Sequence, residues 1–178
     1  MRAIRFKKWI FPLILSLFLA GACKQSGKSG SDKPEHEDQL VVQLIVKVKQ
    51  DDKLELYYRK GKETYNSERR LDAPIRGSEE FQTVNFVFEI LEFPSHVRID
   101  LGENPQQPEI EIQQLAFKYN EAEHIFTPEE LKKYFRPNSW LQFDFQTLSG
   151  KGRVVDGKYD PFLSSNEISY FVNKLILY

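Results

Sequence analysis

Phe81-Gln-Thr-Val-Asn-Phe-Val-Phe-Glu-Ile90 alternates apolar and polar residues. Successive side chains of a strand point to opposite faces. Val84, Phe86, Phe88 and Ile90 therefore share one face, and Thr83, Asn85 and Glu89 the other. One apolar face and one wet face mark an antiparallel strand that covers a core on a single side.

The same reading extends in both directions. Leu40-Val-Val-Gln-Leu-Ile-Val-Lys-Val48 is rich in β-branched residues and aligns Val42, Leu44, Val46 and Val48. Gln50-Asp51-Asp52-Lys53 is a polar turn, and Leu54–Tyr58 puts Leu54, Leu56 and Tyr58 on one side. The two strands read as a hairpin. Residues 59–80 hold Gly61, Pro74 and Gly77 and read as loop, with a short edge strand near Leu71–Ile75. His96–Leu101 points Val97, Ile99 and Leu101 inward and His96, Arg98 and Asp100 outward. Gly102–Pro108, with two prolines, is a turn. In Glu109–Tyr119 the apolar phase switches from Ile110 and Ile112 to Leu115 and Phe117, which predicts a β-bulge at Gln113-Gln114.

Beyond Tyr119 the pattern changes. Thr127-Pro128-Glu129-Glu130 carries a threonine N-cap, a proline at the first helical position and a glutamate at the capping-box position. That helix runs to about Phe135 and stops before Pro137. Trp140–Leu148 alternates again, and Gly150–Asp160 reads as a glycine-rich loop. Ser165–Leu177 reads as a helix capped by Ser164 or Ser165, with Ile168, Phe171, Val172 and Leu175 on one stripe. The residues thus predict a mainly β domain with one or two C-terminal helices.

The order Leu54-Glu-Leu-Tyr-Tyr58, Ala73-Pro-Ile-Arg-Gly77, Phe81-Gln-Thr-Val-Asn-Phe86, Val97-Arg-Ile-Asp100, Pro105 and Ile110-Glu-Ile112 resembles the galactose-binding-like jelly-roll domains of bacterial envelope and polysaccharide-associated proteins. The resemblance covers roughly residues 40–119. It implies an antiparallel β-sandwich, often carbohydrate-binding or adhesive, and supplies no ligand residue that maps onto this chain. Residues 120–178 lie outside it and look like the tail of uncharacterised Bacteroidota lipoproteins.

The N-terminus carries a different message. Arg2, Arg5, Lys7 and Lys8 precede the apolar run Trp9–Ala22, which exits into small residues at Cys23, the single cysteine. This is the layout of a secretory signal peptide. Leu19-Ala-Gly-Ala-Cys23 resembles the lipobox of bacterial lipoproteins, although Ala20 stands where that family usually has Leu. The resemblance implies a diacylglycerol-bearing Cys23 after removal of residues 1–22. Two or more acyl chains are what stable anchoring needs. The alternatives are an uncleaved anchor or a buried helix, but fourteen helical residues reach only about 21 Å against a membrane core of about 30 Å. Residues 24–39 contain no large apolar side chain and read as a flexible tether from Cys23 to the domain at 40–178. Its acidic end, Glu35–Asp38, resembles the surface-export signals of Bacteroidota lipoproteins or is a solvated linker. A lipid-anchored protein of the cell envelope, at the outer membrane, is the expectation; which face it occupies stays open.

Without the four basic residues of the leader, 21 basic side chains face 26 acidic ones, a net charge of −5. That excludes a general nucleic-acid-binding surface. After Cys23 no cysteine remains for a disulfide, a thiolate nucleophile or a thiolate zinc site. His36, His96 and His124 have no metal-ligand spacing. Gly-x-Ser-x-Gly and phosphate-loop motifs are absent, and Gly150-Lys-Gly-Arg153 reads as a turn. No cofactor is expected. Asp100 and Glu103 are one of many carboxylate pairs that could flank a glycosidic bond. Asp156 and Asp160 could offer oxygens to calcium, though not with EF-hand spacing.

Aromatic residues are the better candidates, because a sugar's apolar face stacks on a ring while polar neighbours bond its hydroxyls. Tyr57 lies opposite the apolar face of its strand. Tyr65 sits in the long loop with Asn66, Arg69 and Arg70, and Trp140 follows Asn138 and Ser139. Tyr57, Tyr65, Arg69 and Trp140 are the expected ligand contacts. The leading function is a non-catalytic glycan-binding module. A protein-interaction or assembly subunit comes second and a glycan-processing enzyme third.

Overall fold

The computed structural model describes residues 36–177. The expected signal peptide, the expected lipidation site Cys23 and the expected tether up to Glu35 lie outside the described residues. The strands are β1 (Leu40–Lys47), β2 (Asp52–Arg59), β3 (Arg70–Ile75), β4 (Gln82–Val87), β5 (His96–Asp100), β6 (Ile110–Tyr119), β7 (Ala122–Ile125), β8 (Phe135–Pro137), β9 (Leu141–Asp144), β10 (Ser149–Gly152) and β11 (Phe162–Ser165). The helices are α1 (Pro128–Tyr134) and α2 (Ser169–Ile176).

The alternation of β1 places it at the centre of the first sheet. Val42 faces Phe86 of β4 on one side and Phe117 of β6 on the other, and Leu44 faces Val84 and Leu115. That sheet runs β4-β1-β6-β10-β9, with β7 also on β6; the second runs β3-β2-β5-β11-β8. Every pairing between these strands is antiparallel. The two sheets form a β-sandwich. Val42, Leu44, Phe86, Phe88 and Phe117 of one layer and Leu54, Leu56 and Ile99 of the other are all buried in the core. The rings of Tyr58 and Phe88 meet edge to face at 4.9 Å across the layers. Each fully buried side chain of this size contributes about 1.5–3 kcal/mol of burial.

The bulge falls where the apolar phase switches. Ile45 opposes Gln114 while Val46 opposes Ile112, so Gln113 is the extra residue, and both apolar sets face inward. Pro74 lies in β3, an edge strand, where its missing N–H costs no ladder bond.

The expected β1–β2 hairpin is not formed: β1 and β2 belong to opposite sheets. Alternation tells which side chains face inward, and that set is the same whether the next strand lies beside or across the core. The corner is fixed by side chains instead. Buried Gln107 accepts the N–H groups of Lys49 and Gln50 at 3.0 and 3.1 Å. Asp52 Oδ1 accepts those of Lys53, Glu103 and Asn104 at 2.8–3.2 Å. Gly77 crosses this corner so closely that a Cβ there would lie 2.7 Å from the Lys49 carbonyl oxygen.

Ile90 is not in the core. The strand ends at Val87, Phe88 is the last inward residue, and the chain turns through Leu91 at φ +63°, leaving Ile90 64% exposed. Asp100 has the outward parity expected of it, yet is buried.

Past Tyr119 the chain supplies five more strands as well as two helices, so it completes both sheets. Thr127 caps α1 as anticipated: its Oγ1 accepts the Glu130 N–H at 3.2 Å, and Glu130 accepts the Thr127 N–H at 2.9 Å. Gly150–Gly152 are strand β10, not loop. Gly150 is needed there because a Cβ would press on the Phe143 ring at 2.8 Å. Neither Ser164 nor Ser165 caps α2. Both lie in β11, where the Ser165 hydroxyl accepts the Val97 N–H at 2.9 Å, and α2 begins after Ile168 without a side-chain cap. Its buried stripe is Ile168, Phe171, Val172 and Leu175, as the periodicity requires. The last tether residues are held on the sandwich: Asp38 N–H donates to Asn120 and the Gln39 side chain to the Phe88 carbonyl. No helix of the described residues is long and apolar enough to cross a membrane.

Candidate binding face

The outer face of the second sheet gathers charged and aromatic side chains. Along β2, Lys53, Glu55, Tyr57 and Arg59 alternate with the core residues. Pairing sets Arg98 of β5 and Arg70 of β3 on either side of Tyr57, and Asp100 and Asp72 on either side of Glu55. His96 faces Arg59, and Phe162 of β11 faces Asp100.

These groups hold one another. Arg98 Nε and Nη2 each donate to Asp100 at 2.7 Å, and Nη2 also reaches Asp160. The Arg98 guanidinium lies 3.7 Å from the centre of the Phe162 ring and 5.2 Å from that of Tyr57. Arg70 binds Asp72 at 2.8 Å and Glu55 at 3.3 Å, and stands 5.9 Å from the Tyr57 ring. The Tyr57 hydroxyl donates to Glu55 at 3.2 Å. Lys53 bridges Glu55 and Glu103, 2.8 Å from each. Tyr57 is thus fixed between two guanidinium groups.

Burial decides the titration of the two inner carboxylates differently. Asp100 is only 7% exposed, and desolvation pushes it up to about 6 against the pull of Arg98. Glu55 is buried too, but the hydrogen bond and charge of Lys53, with Arg70, outweigh desolvation and hold it below the usual carboxylate range.

The loop after β2 builds one end of this face. Glu63 pairs with Arg69, Asn66 Oδ1 accepts the N–H groups of Glu68 and Arg69 at 3.0 and 3.2 Å, and Ser95 Oγ accepts the Gly61 N–H at 2.8 Å. The loop brings Tyr65 back over Arg59, whose guanidinium stands 5.4 Å from the ring centre. Burial pushes the Tyr65 phenol up, opposed by Arg59; the charges of Arg98 and Asp100 also reach it. A depression of about 680 Å³ opens here, lined among others by Arg59, Lys62, Thr64, Tyr65, His96 and Glu167. Burial and the nearby Arg59 charge pull His96 down, so its ring is neutral at pH 7.

Of the residues nominated by sequence, Tyr57 comes to this face between Arg70 and Arg98, and Tyr65 lies against Arg59 at its end. Arg69 serves the loop through Glu63. Trp140 lies elsewhere: its ring N–H donates to the Val155 carbonyl at 3.4 Å and its backbone N–H to Asn138. Asp156 and Asp160 are split. Asp156 and Gly157, at φ +52° and +71°, form a two-residue turn closed by Val155 and Lys158, and Asp160 is taken by Arg98. Among the described residues no group of three or more His, Cys, Asp or Glu is placed to hold a metal. Asp100 and Glu103 are each neutralised, by Arg98 and Lys53. His124 packs between the Phe126 and Phe171 rings, away from this face.

Arg59, His96, Arg98 and Phe162 were not nominated from sequence. Outward parity was legible for His96 and Arg98; the pairing of β2 with β5 and of β5 with β11, which brings them together, was not. Compared with family models, curated proteins and solved structures, the chain matches none.

Proposed function

We propose that the protein is a non-catalytic binding module of the cell envelope, anchored through a lipidated Cys23, whose ligand is a glycan bound at the outer face of the second sheet. The observation that carries this reading is an open depression at the end of this charged sheet face, in which the Tyr65 ring lies against Arg59 with Thr64 and His96 in the lining. An aromatic ring with fixed polar groups beside it is the chemistry a pyranose needs. The likeness to galactose-binding-like domains points the same way, although a fold alone does not set a function. On this reading the tether lets the face sample ligand within about 50 Å of the membrane.

The test is a glycan array and calorimetric titration with the full-length protein in detergent. Binding of an envelope polysaccharide fragment, weakened about tenfold or more by Tyr57→Ala or Tyr65→Ala, is expected. An array with no binding removes the reading. Membrane fractionation of Cys23→Ser checks the anchor: release into the soluble fraction is expected.

A protein partner is the second reading, favoured by Ile90 and Leu91, exposed side by side at a surface turn. Co-purification of one stoichiometric envelope protein, lost on Leu91→Asp, marks that outcome.

A further inference from the structure

The structure assigns an acidic sugar to the depression beside Tyr65: we infer that Arg59 receives the carboxylate of a hexuronate residue while the Tyr65 ring stacks on its pyranose. This deepens the glycan reading and rests on it.

The argument begins with how the cations of this face are used. Lys53, Arg69, Arg70 and Arg98 each have a carboxylate partner in direct contact. Arg59 has none among the described residues. Its guanidinium donates to the Gly61 carbonyl and otherwise lies over Tyr65. Arginine presents a planar fork of donors that matches a carboxylate in a bidentate pair, and a stacked, half-buried guanidinium is already oriented for it.

The surroundings agree in sign. Lys62 adds a second positive charge to the lining, and His96 contributes a neutral ring that can hydrogen-bond a hydroxyl. Of the two carboxylates in the lining, Glu63 is committed to Arg69, which leaves Glu167. The depression is therefore locally cationic on a domain of net negative charge. General anion attraction cannot arise from such a domain, so selectivity has to be local. The volume, about 680 Å³, lies within the range of small-ligand sites and admits one or two sugar rings.

Tyr65 supplies the other half of recognition. The loop fastened by Glu63–Arg69 and Asn66 holds its ring in place before any ligand arrives, so little conformational freedom is lost on binding.

The experiment titrates the full-length protein in detergent with tetramers of galacturonate, glucuronate and mannuronate, each beside its carboxyl-reduced counterpart, and with a polyglutamate peptide. At least one uronate tetramer is expected to bind about 10- to 100-fold more tightly than its reduced form, the worth of one charge-assisted hydrogen-bonded pair. Arg59→Met is expected to erase that ratio, and Tyr65→Ala to weaken both forms while keeping it. Equal binding of uronate and reduced forms to the wild-type protein overturns the acidic inference and leaves the glycan reading standing. Binding of none of these saccharides, while neutral envelope glycans bind, also overturns the inference alone; failure of every saccharide overturns both. Polyglutamate binding as tight as the best uronate, and insensitive to Tyr65→Ala, replaces the sugar with an acidic peptide and overturns it too.

Discussion

Removing Arg98 by Arg98→Ala should destabilise the protein by an amount that depends on pH, and the size of that dependence follows from Asp100. An aspartate ordinarily titrates at 3.8, and burial raises Asp100 to about 6 in the folded protein. A raised carboxyl means the folded state holds its proton more tightly than the unfolded state. Its contribution is complete below about pH 4 and is lost as pH climbs through the folded value. In the wild type that loss is over soon after pH 6. Without Arg98, the desolvation that already outweighs the guanidinium is unopposed, and the carboxyl rises further, by about one to two units for the loss of an adjacent guanidinium. Each further unit costs about 1.4 kcal/mol, so Arg98→Ala should lose about 2 kcal/mol more at about pH 7.5 than at about pH 5. Glu55, which Lys53 and Arg70 hold low in both proteins, titrates alike and cancels. Urea unfolding followed by far-ultraviolet circular dichroism at the two pH values measures the difference. The double variant Arg98→Ala/Asp100→Asn should lose the pH dependence and keep only the packing loss over Phe162 and Tyr57. A difference below about 0.5 kcal/mol, or one that survives in the double variant, refutes the account.

Two further outcomes test the fold. Phe88→Ala should cost about 3–5 kcal/mol by leaving a cavity between the sheets, whereas Ile90→Ala, two residues on with the same parity, should stay within about 0.5 kcal/mol; urea midpoints that fall together would return Ile90 to the core. Gly77→Ala drives a methyl group into the Lys49–Gln50 backbone and should cost about 1–3 kcal/mol by thermal or urea unfolding, while an unchanged midpoint would mean the corner yields freely.

What could be read in the sequence was period and phase. The inward sets of β1, β2 and β5, that of β4 as far as Phe88, the bulge at Gln113 and the Thr127 capping box all follow from spacing between neighbours in the chain. What could not be read was partnership across the fold. The β1–β2 corner looks like a hairpin because its determinants, Gln107 and the Glu103 and Asn104 N–H groups that donate to Asp52, lie about fifty residues from the strands they join. Strands β8, β10 and β11 have three or four residues each, too few to show alternation. Gly150 and Gly152 read as loop although their lack of a Cβ is what admits the Phe143 and Tyr159 rings. Ser165 looked like a helix cap and is instead a ladder partner of β5. The candidate face fails to appear for the same reason: Tyr57, Arg98 and Phe162 lie far apart in sequence and meet only through the order β2-β5-β11.

That face also has a thermodynamic peculiarity that bears on its purpose. A sheet's solvent side does not need to bury carboxylates, yet Glu55 and Asp100 are both buried there. Desolvating two charges is costly, and apolar replacements of similar volume commonly leave a protein as stable or more so. The network therefore does not explain itself as a source of stability. What it does accomplish is geometric: two guanidinium groups, each tied to two carboxylates, clamp the Tyr57 ring and fix Phe162 beneath Arg98. Ordering completed during folding need not be repeated on binding. Stability given up for a rigid aromatic platform is the pattern expected of a recognition surface. Among the described residues of the depression, Arg59 and Lys62 are then the cations without a carboxylate partner, and Arg59 is the one held against an aromatic ring, where the inferred uronate would meet it.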